Sequence, residues 1–292
     1  MRICSAGWAA FVATVVFLAS QDAVAQRSGQ EAAQSTWYVA FGAGPNGTGL
    51  LKQAGFNRDD ICYPTNLCPR TPDGYRWFYD LDPDSGTAFD LAVGRSLNAL
   101  RFEISASGNS SGIEQTFTGI AYHDGTPVLP DTDSDFANTA ETAVDGFSTQ
   151  TLSFSAYRAF PAAVSGIEPY VGIGVGLSRA RLSGLYFRSE YTCVRAPCAG
   201  RPAAEYNSHQ NTDLTDTVWS GQVHAGVDYP LADGRYAVGL KLSYRAVGDM
   251  EVQAGYLTHP IPDEVSTNAI SEIDHWSLTV GVKYRFGARP GT

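Results

Sequence analysis

The chain has 292 residues, and its 30 acidic side chains outnumber 20 Lys and Arg to give a formal net charge of −10. That balance argues against nucleic acid as a partner. Beyond the N-terminal segment, no stretch approaches the ~18 consecutive apolar residues of a membrane-crossing helix, so any crossing has to be made by strands.

Arg2 precedes an apolar run from Trp8 to Leu18 and the small-residue site Ala23, Val24, Ala25. Charge, apolar core and A-x-A site in that order predict a removable secretory signal over residues 1–25, because so short a run cannot span roughly 30 Å of hydrocarbon. Residues 26–36 are small and polar and read as a flexible leader. From residue 37 the pattern changes to a period of two, the mark of a strand with one apolar face.

Trp37, Val39, Phe41 and Ala43 share the first such face, opposite Tyr38, Ala40, Gly42 and Gly44. Phe89, Leu91 and Val93 alternate with Asp90, Ala92 and Gly94, and Leu100, Phe102, Ile104 and Ala106 with Arg101, Glu103, Ser105 and Ser107. Leu152, Phe154, Ala156 and Phe160 form the next apolar face, followed by Val171, Ile173, Val175 and Leu177. Trp219, Val223, Ala225, Val227 and Tyr229 oppose Gln222, His224 and Asp228. Tyr236, Val238, Leu240, Leu242 and Tyr244 oppose Arg235, Lys241 and Arg245. Trp276, Leu278, Val280, Val282, Tyr284 and Phe286 oppose Ser277, Lys283 and Arg285. Eight strands result, with a short tail at 287–292.

The connections alternate in length. Residues 96–98, 161–166 and 230–234 are short turns; residues 46–84, 109–146, 180–216 and 247–273 are long loops. An even number of strands with short turns on one rim and long loops on the other is the pattern of an outer-membrane barrel. The less apolar face carries Gly, Ala and Ser, which suit a cramped lumen rather than a water-exposed surface. Aromatic residues gather at the strand ends, with Trp37, Phe160, Tyr229, Tyr236, Tyr284 and Phe286 towards the short turns and Trp219, Tyr244 and Trp276 towards the long loops. Two such girdles fit the two membrane interfaces. The expectation is an all-β, eight-stranded antiparallel transmembrane barrel over residues 37–286, with periplasmic turns and four extracellular loops. Arg158 falls on the apolar parity near the short-turn rim, where its head can reach the headgroups.

Inside, Asp90, Glu103 and Asp228 face Arg101, Arg235, Lys241, Arg245, Lys283 and Arg285. An interior of eight strands is only just wide enough for side chains, so these charges are expected to form a plugging salt-bridge network. A narrow channel past the Gly-rich face of the fifth strand is the alternative. Four cysteines, Cys62, Cys68, Cys193 and Cys198, allow three pairings. Their close spacing favours two local disulfides in an oxidising compartment, and no histidine stands by to complete a zinc site. Loop 109–146 holds seven acids and no Lys or Arg, and loop 247–273 holds five and none. Asp131, Asp133 and Asp135 resemble the start of a calcium loop, but Phe136 replaces the turn glycine and Thr142 the final ligand. Neither metal nor cofactor is expected. In the first loop, residues 75–79 read as an extension of the second strand, and the third loop as a hairpin extension.

His275 and Ser277, two apart on a strand, share a face as a base and nucleophile would. A lipid A-modifying enzyme would need them facing lipid, whereas their parity is that of the lumen. His224 and Ser220 are likewise inward and too far apart to bond directly.

The stretches Ala99-Leu-Arg-Phe-Glu-Ile104, Glu168-Pro-Tyr-Val-Gly-Ile-Gly-Val-Gly176 and His275-Trp-Ser-Leu-Thr-Val-Gly-Val-Lys-Tyr-Arg-Phe286 resemble the opacity-type and rickettsial surface-antigen family of porin-like outer-membrane barrels. The resemblance covers the barrel and none of the long loops. It implies a non-enzymatic surface protein of adhesive, antigenic or envelope-stabilising type in the cell outer membrane. Expected partners are outer-membrane lipids, lipopolysaccharide, the barrel-assembly machinery and an external ligand of the loops, with the chain monomeric. Phe286, six residues from the end of the given sequence, would serve that machinery as an internal rather than terminal aromatic.

Overall fold

A computed structural model describes residues 35–68, 70–160, 166–198, 202–231 and 234–286. The expected signal, most of the leader and the tail at 287–292 lie outside these residues. Among the described residues no helix is long and apolar enough to cross a membrane. The strands are β1 (Ser35–Thr48), β2 (Leu51–Phe56), β3 (Asn66–Leu67), β4 (Tyr75–Pro83), β5 (Gly86–Leu97), β6 (Leu100–Tyr122), β7 (Leu129–Pro130) and β8 (Phe136–Ala143). They continue as β9 (Gly146–Ala159), β10 (Glu168–Cys193), β11 (Ser208–Pro230), β12 (Tyr236–Val247), β13 (Met250–Gly255), β14 (Val265–Ser271) and β15 (Asp274–Phe286).

Eight of these close a ring. β1 pairs β5, β5 pairs β6, β6 pairs β9, β9 pairs β10, β10 pairs β11, β11 pairs β12, β12 pairs β15, and β15 returns to β1, always antiparallel. They are the eight stretches that alternate in the sequence. Their apolar parity points outward, leaving Leu91, Ile104, Leu152, Phe154, Val175 and Val280 each at least half exposed. A contiguous apolar belt of this kind is untenable in water, whereas in lipid it is the required surface. Ring closure leaves no strand edge to desolvate. Arg158 lies half-buried at the short-turn rim, with its guanidinium 5.9 Å from the Phe160 ring.

Towards the long-loop end the architecture departs from the expectation. The long connections are mostly strand, and they raise a second storey on the first. β6, β10 and β11 run far beyond the belt, and β2, β4, β8, β13 and β14 join them in the order β13, β14, β2, β4, β6 on one side and β8, β10, β11 on the other. Residues 75–79 do prolong the second barrel strand, but as β4, separated from β5 by Asp84 and Ser85 and paired with β2 and β6. The third loop is the hairpin extension of β10 and β11, as expected.

Here the inward face turns apolar. Leu51, Leu81, Phe147, Leu182, Leu214, Met250, Ile270 and Ile273 form a buried core across the mouth of the barrel. A bulge in β10 between Leu182 and Leu185 helps build it, because the shifted register turns both leucines inward. Gly184 sits in the bulge with φ +65, a conformation that a β-carbon disfavours.

Candidate functional site

Three stacked layers can be followed from the short-turn end upwards. The lowest is ionic. Asp228 accepts from Arg101 at 2.5 Å and Lys283 at 2.5 Å, and Glu168 accepts from Arg101 at 3.2 Å and Arg285 at 2.7 Å. Glu103 takes hydroxyl donors from Tyr38 at 3.1 Å and Tyr157 at 2.9 Å. The Lys283 ammonium lies 4.9 Å from the centre of the Tyr38 ring and 5.6 Å from that of Tyr170. These tyrosines need glycine opposite them: a β-carbon at Gly94 would stand 2.3 Å from Tyr38, and one at Gly172 would stand 2.2 Å from Tyr157. The room the Gly-rich fifth strand leaves is thus occupied by rings.

Above this layer, Lys241 donates to Asp90 at 2.8 Å. Arg245 is held entirely by neutral groups, donating to Gln222 at 2.8 Å, Thr151 at 2.8 Å and Ser107 at 2.7 Å. Among the described residues, spaces of about 50 Å³ beside Asp90 and about 30 Å³ beside His275 lie between the layers. Buried charge with this many partners is fully engaged, and breaking a pair leaves the other member short of a buried partner. One residue assigned inward from sequence lies elsewhere. Arg235 is exposed in the turn, because β12 begins only at Tyr236 and the strand parity does not extend to it. Arg285 and Lys241 are half-buried rather than buried.

The histidines sit inside this stopper. His275 is 4% exposed and makes no hydrogen bond among the described residues, to Ser277 or to any other group. His224 bonds Ser243 across the strand pair at 2.8 Å rather than Ser220. Both face the lumen, away from the lipid belt. Trp37, Phe160, Trp219, Tyr229, Tyr236, Trp276 and Phe286 are exposed on the outer face, while Tyr244 and Tyr284 are half-buried.

The apolar core comes next, and over it lies a cavity of about 450 Å³ that the sequence reading did not find. Its floor is a chain of amides: Gln115 donates to Gln53 at 3.1 Å, Gln53 to Asn268 at 3.1 Å, Asn268 to Ser266 at 3.0 Å, and Gln210 to Ser266 at 2.9 Å. Its walls are rings, among them Trp77, Tyr79, Phe117, Tyr186 and Tyr256. At the far end Tyr63 stacks on Tyr191 with centroids 5.6 Å apart, and Tyr75 meets it edge-on. Burial pushes the Tyr79 and Tyr191 hydroxyls up to about 12 and raises Tyr63, Tyr75 and Tyr256 as well, so all remain neutral donors.

Among the described residues, Asp59 is the one carboxylate in the wall, and no Lys or Arg lines it. It accepts from the Tyr63 hydroxyl at 2.5 Å and the Ile61 amide at 2.8 Å, with His259 Nε2 at 3.5 Å. Burial pushes the Asp59 carboxyl up and the His259 ring down from their usual ranges.

Two disulfides clip the loops above: Cys62 to Cys68 and Cys193 to Cys198. The storey has two seams. Between β11 and β13, the Leu257 amide donates to His209 at 2.8 Å, and Gln210 bonds the Ala254 carbonyl at 3.0 Å. Between β6 and β8 no ladder forms among the described residues, and the hairpin after β6 is instead pinned to the first loop through β7 and β3.

No family model matches the chain, and no curated protein does. Among solved structures it is similar to Neisserial surface protein A, at 14% identity and a TM-score of 0.42, over 87% of this chain and 99% of that one. It is similar to the outer membrane protein OprG from Pseudomonas aeruginosa at 12% identity and 0.41, over 87% and 98%. A third is the outer membrane protease OmpT from Escherichia coli at 11% identity and 0.30, over 86% and 97%. The second and third are described as outer-membrane proteins and the first as a surface protein. The likenesses are distant, and the fold rests on the closed strand pairing itself.

Proposed function

We propose that the chain is an exported, non-enzymatic outer-membrane barrel of the opacity type, closed to solutes, whose second storey faces outward and meets an external partner. The observation that carries this is the double stopper: an ionic and amide-held lumen beneath an apolar core, with small spaces between layers among the described residues. Evolution of a conducting pore would favour a continuous wet path, whereas every charge here is spent on a neighbour. The three stretches that resemble the opacity-type family fall on β6, β10 and β15, in the barrel wall. Non-catalysis is supported by His275 and His224, which lie in the stopper with no route to a lipid ester. The belt and girdles would contact outer-membrane lipids and lipopolysaccharide, the assembly machinery would insert the ring, and a closed ring offers no barrel edge for self-pairing, which favours a monomer.

Planar-bilayer recording of the refolded chain tests the reading. It predicts no conductance above the lipid baseline. Steady single-channel steps would overturn it in favour of the narrow channel.

A further inference from the structure

We propose that the cavity of the second storey binds a small neutral saccharide, entering sideways through the seam between β6 and β8. The inference rests on the outward-facing storey proposed above. Of the residues that line the cavity, the exposed ones are Phe117 and Ile120 on β6 and Asn138, Ala140 and Thr142 on β8. They face each other across the unladdered seam, which makes it the mouth. At about 450 Å³ the cavity has the size of a small-ligand site.

The chemistry selects the ligand class. Ring faces such as Trp77 and Tyr79 suit the C–H faces of a pyranose, and the amide floor suits hydroxyls, which both donate and accept. Gln115 Oε1 is buried at that floor with no donor among the described residues, so a ligand hydroxyl would complete it. An acyl chain would desolvate these amides without return. Anions are disfavoured twice, since among the described residues the wall holds no Lys or Arg and the mouth is cut into the 109–146 segment, with its seven acids and no Lys or Arg. A cation finds only Asp59, which is already engaged by Tyr63 and Ile61.

The test applies the labelled full chain, refolded in a detergent without a sugar headgroup, to an array of oligosaccharides with matched neutral and sialylated or sulfated forms. Neutral members are expected to be retained over their acidic forms. Gln115→Leu is expected to weaken retention about tenfold, the loss of one buried polar partner, and the exposed mouth variant Asn138→Ala to weaken it about two- to threefold. Heat-modifiable gel mobility confirms that each variant is folded; Asn138 is exposed, and its replacement loses its bond to the Ser189 hydroxyl at 2.7 Å, outside the apolar core. Retention of no neutral glycan, preference for acidic ones, or indifference to both folded variants overturns the proposal. A silent array with a non-conducting barrel removes the saccharide site alone, while conductance removes the reading beneath it.

Discussion

Replacing Asp228 with Ala probes the stopper at its most connected point. The carboxylate accepts from Arg101 and Lys283, both at 2.5 Å, and all three side chains are nearly excluded from solvent. Removing one partner of a buried ion pair costs about 3–5 kcal/mol, because the remaining charge stays buried. Two supports persist here. Arg101 keeps Glu168 at 3.2 Å, and Lys283 keeps its two tyrosine rings, worth about 0.5–2 kcal/mol each. The cost therefore falls at the low end, about 3 kcal/mol. Asp90→Ala is the comparison, since it frees Lys241, whose side chain is 17% exposed and can hydrate, and a long hydroxyl bond from Thr279 at 3.4 Å; about 1–2 kcal/mol is expected. Urea unfolding from lipid vesicles, followed by tryptophan fluorescence, measures both. Adding Lys283→Met to Asp228→Ala should recover part of the loss. Equal costs for the two single variants, or a cost below about 1 kcal/mol for Asp228→Ala, would refute a network centred on Asp228.

Two further outcomes concern the second storey. Reducing the Cys62–Cys68 bridge releases a short loop worth about 2 kcal/mol of chain entropy, so protease should nick residues 57–74 while the barrel stays heat-modifiable. The Gly184 amide at 2.9 Å and the Arg181 guanidinium at 2.5 Å hold the Asp213 carboxyl below its usual range. A depressed carboxylate stabilises above its unfolded pKa and loses that contribution as pH falls through the folded value. Hydrogen-exchange protection at Gly184 should therefore hold at neutral pH and fall below about pH 4, whereas in Asp213→Asn it should be low throughout.

The barrel was legible because lipid imposes one rule on every strand. With apolar residues outward at each second position, Trp276 to Phe286 identify themselves without reference to any other segment. The second storey obeys no such single rule. Its strands are short, its apolar face points inward, and the bulge before Leu185 resets the parity part-way along β10. Its cavity floor joins Gln53 to Asn268, 215 residues apart, a juxtaposition that no local pattern encodes. Parity also fails where a strand has not begun, which is why Arg235 lies outside the lumen that its odd position suggested. The charged lumen residues were visible as charges, and parity put Tyr38 and Tyr157 inside, but that these rings with Tyr170 fill the lumen was marked only by the glycines opposite them.

The two-storey account makes one demand on the tryptophans that can be measured directly. Trp37, Trp219 and Trp276 stand exposed on the belt at 53%, 71% and 49%, whereas Trp77 lines the cavity above it. Single-tryptophan variants refolded into vesicles with brominated acyl chains should show quenching of the first three and none of Trp77. Quenching of Trp77, or bright emission from the other three, would contradict a lipid-facing barrel carrying a water-facing storey.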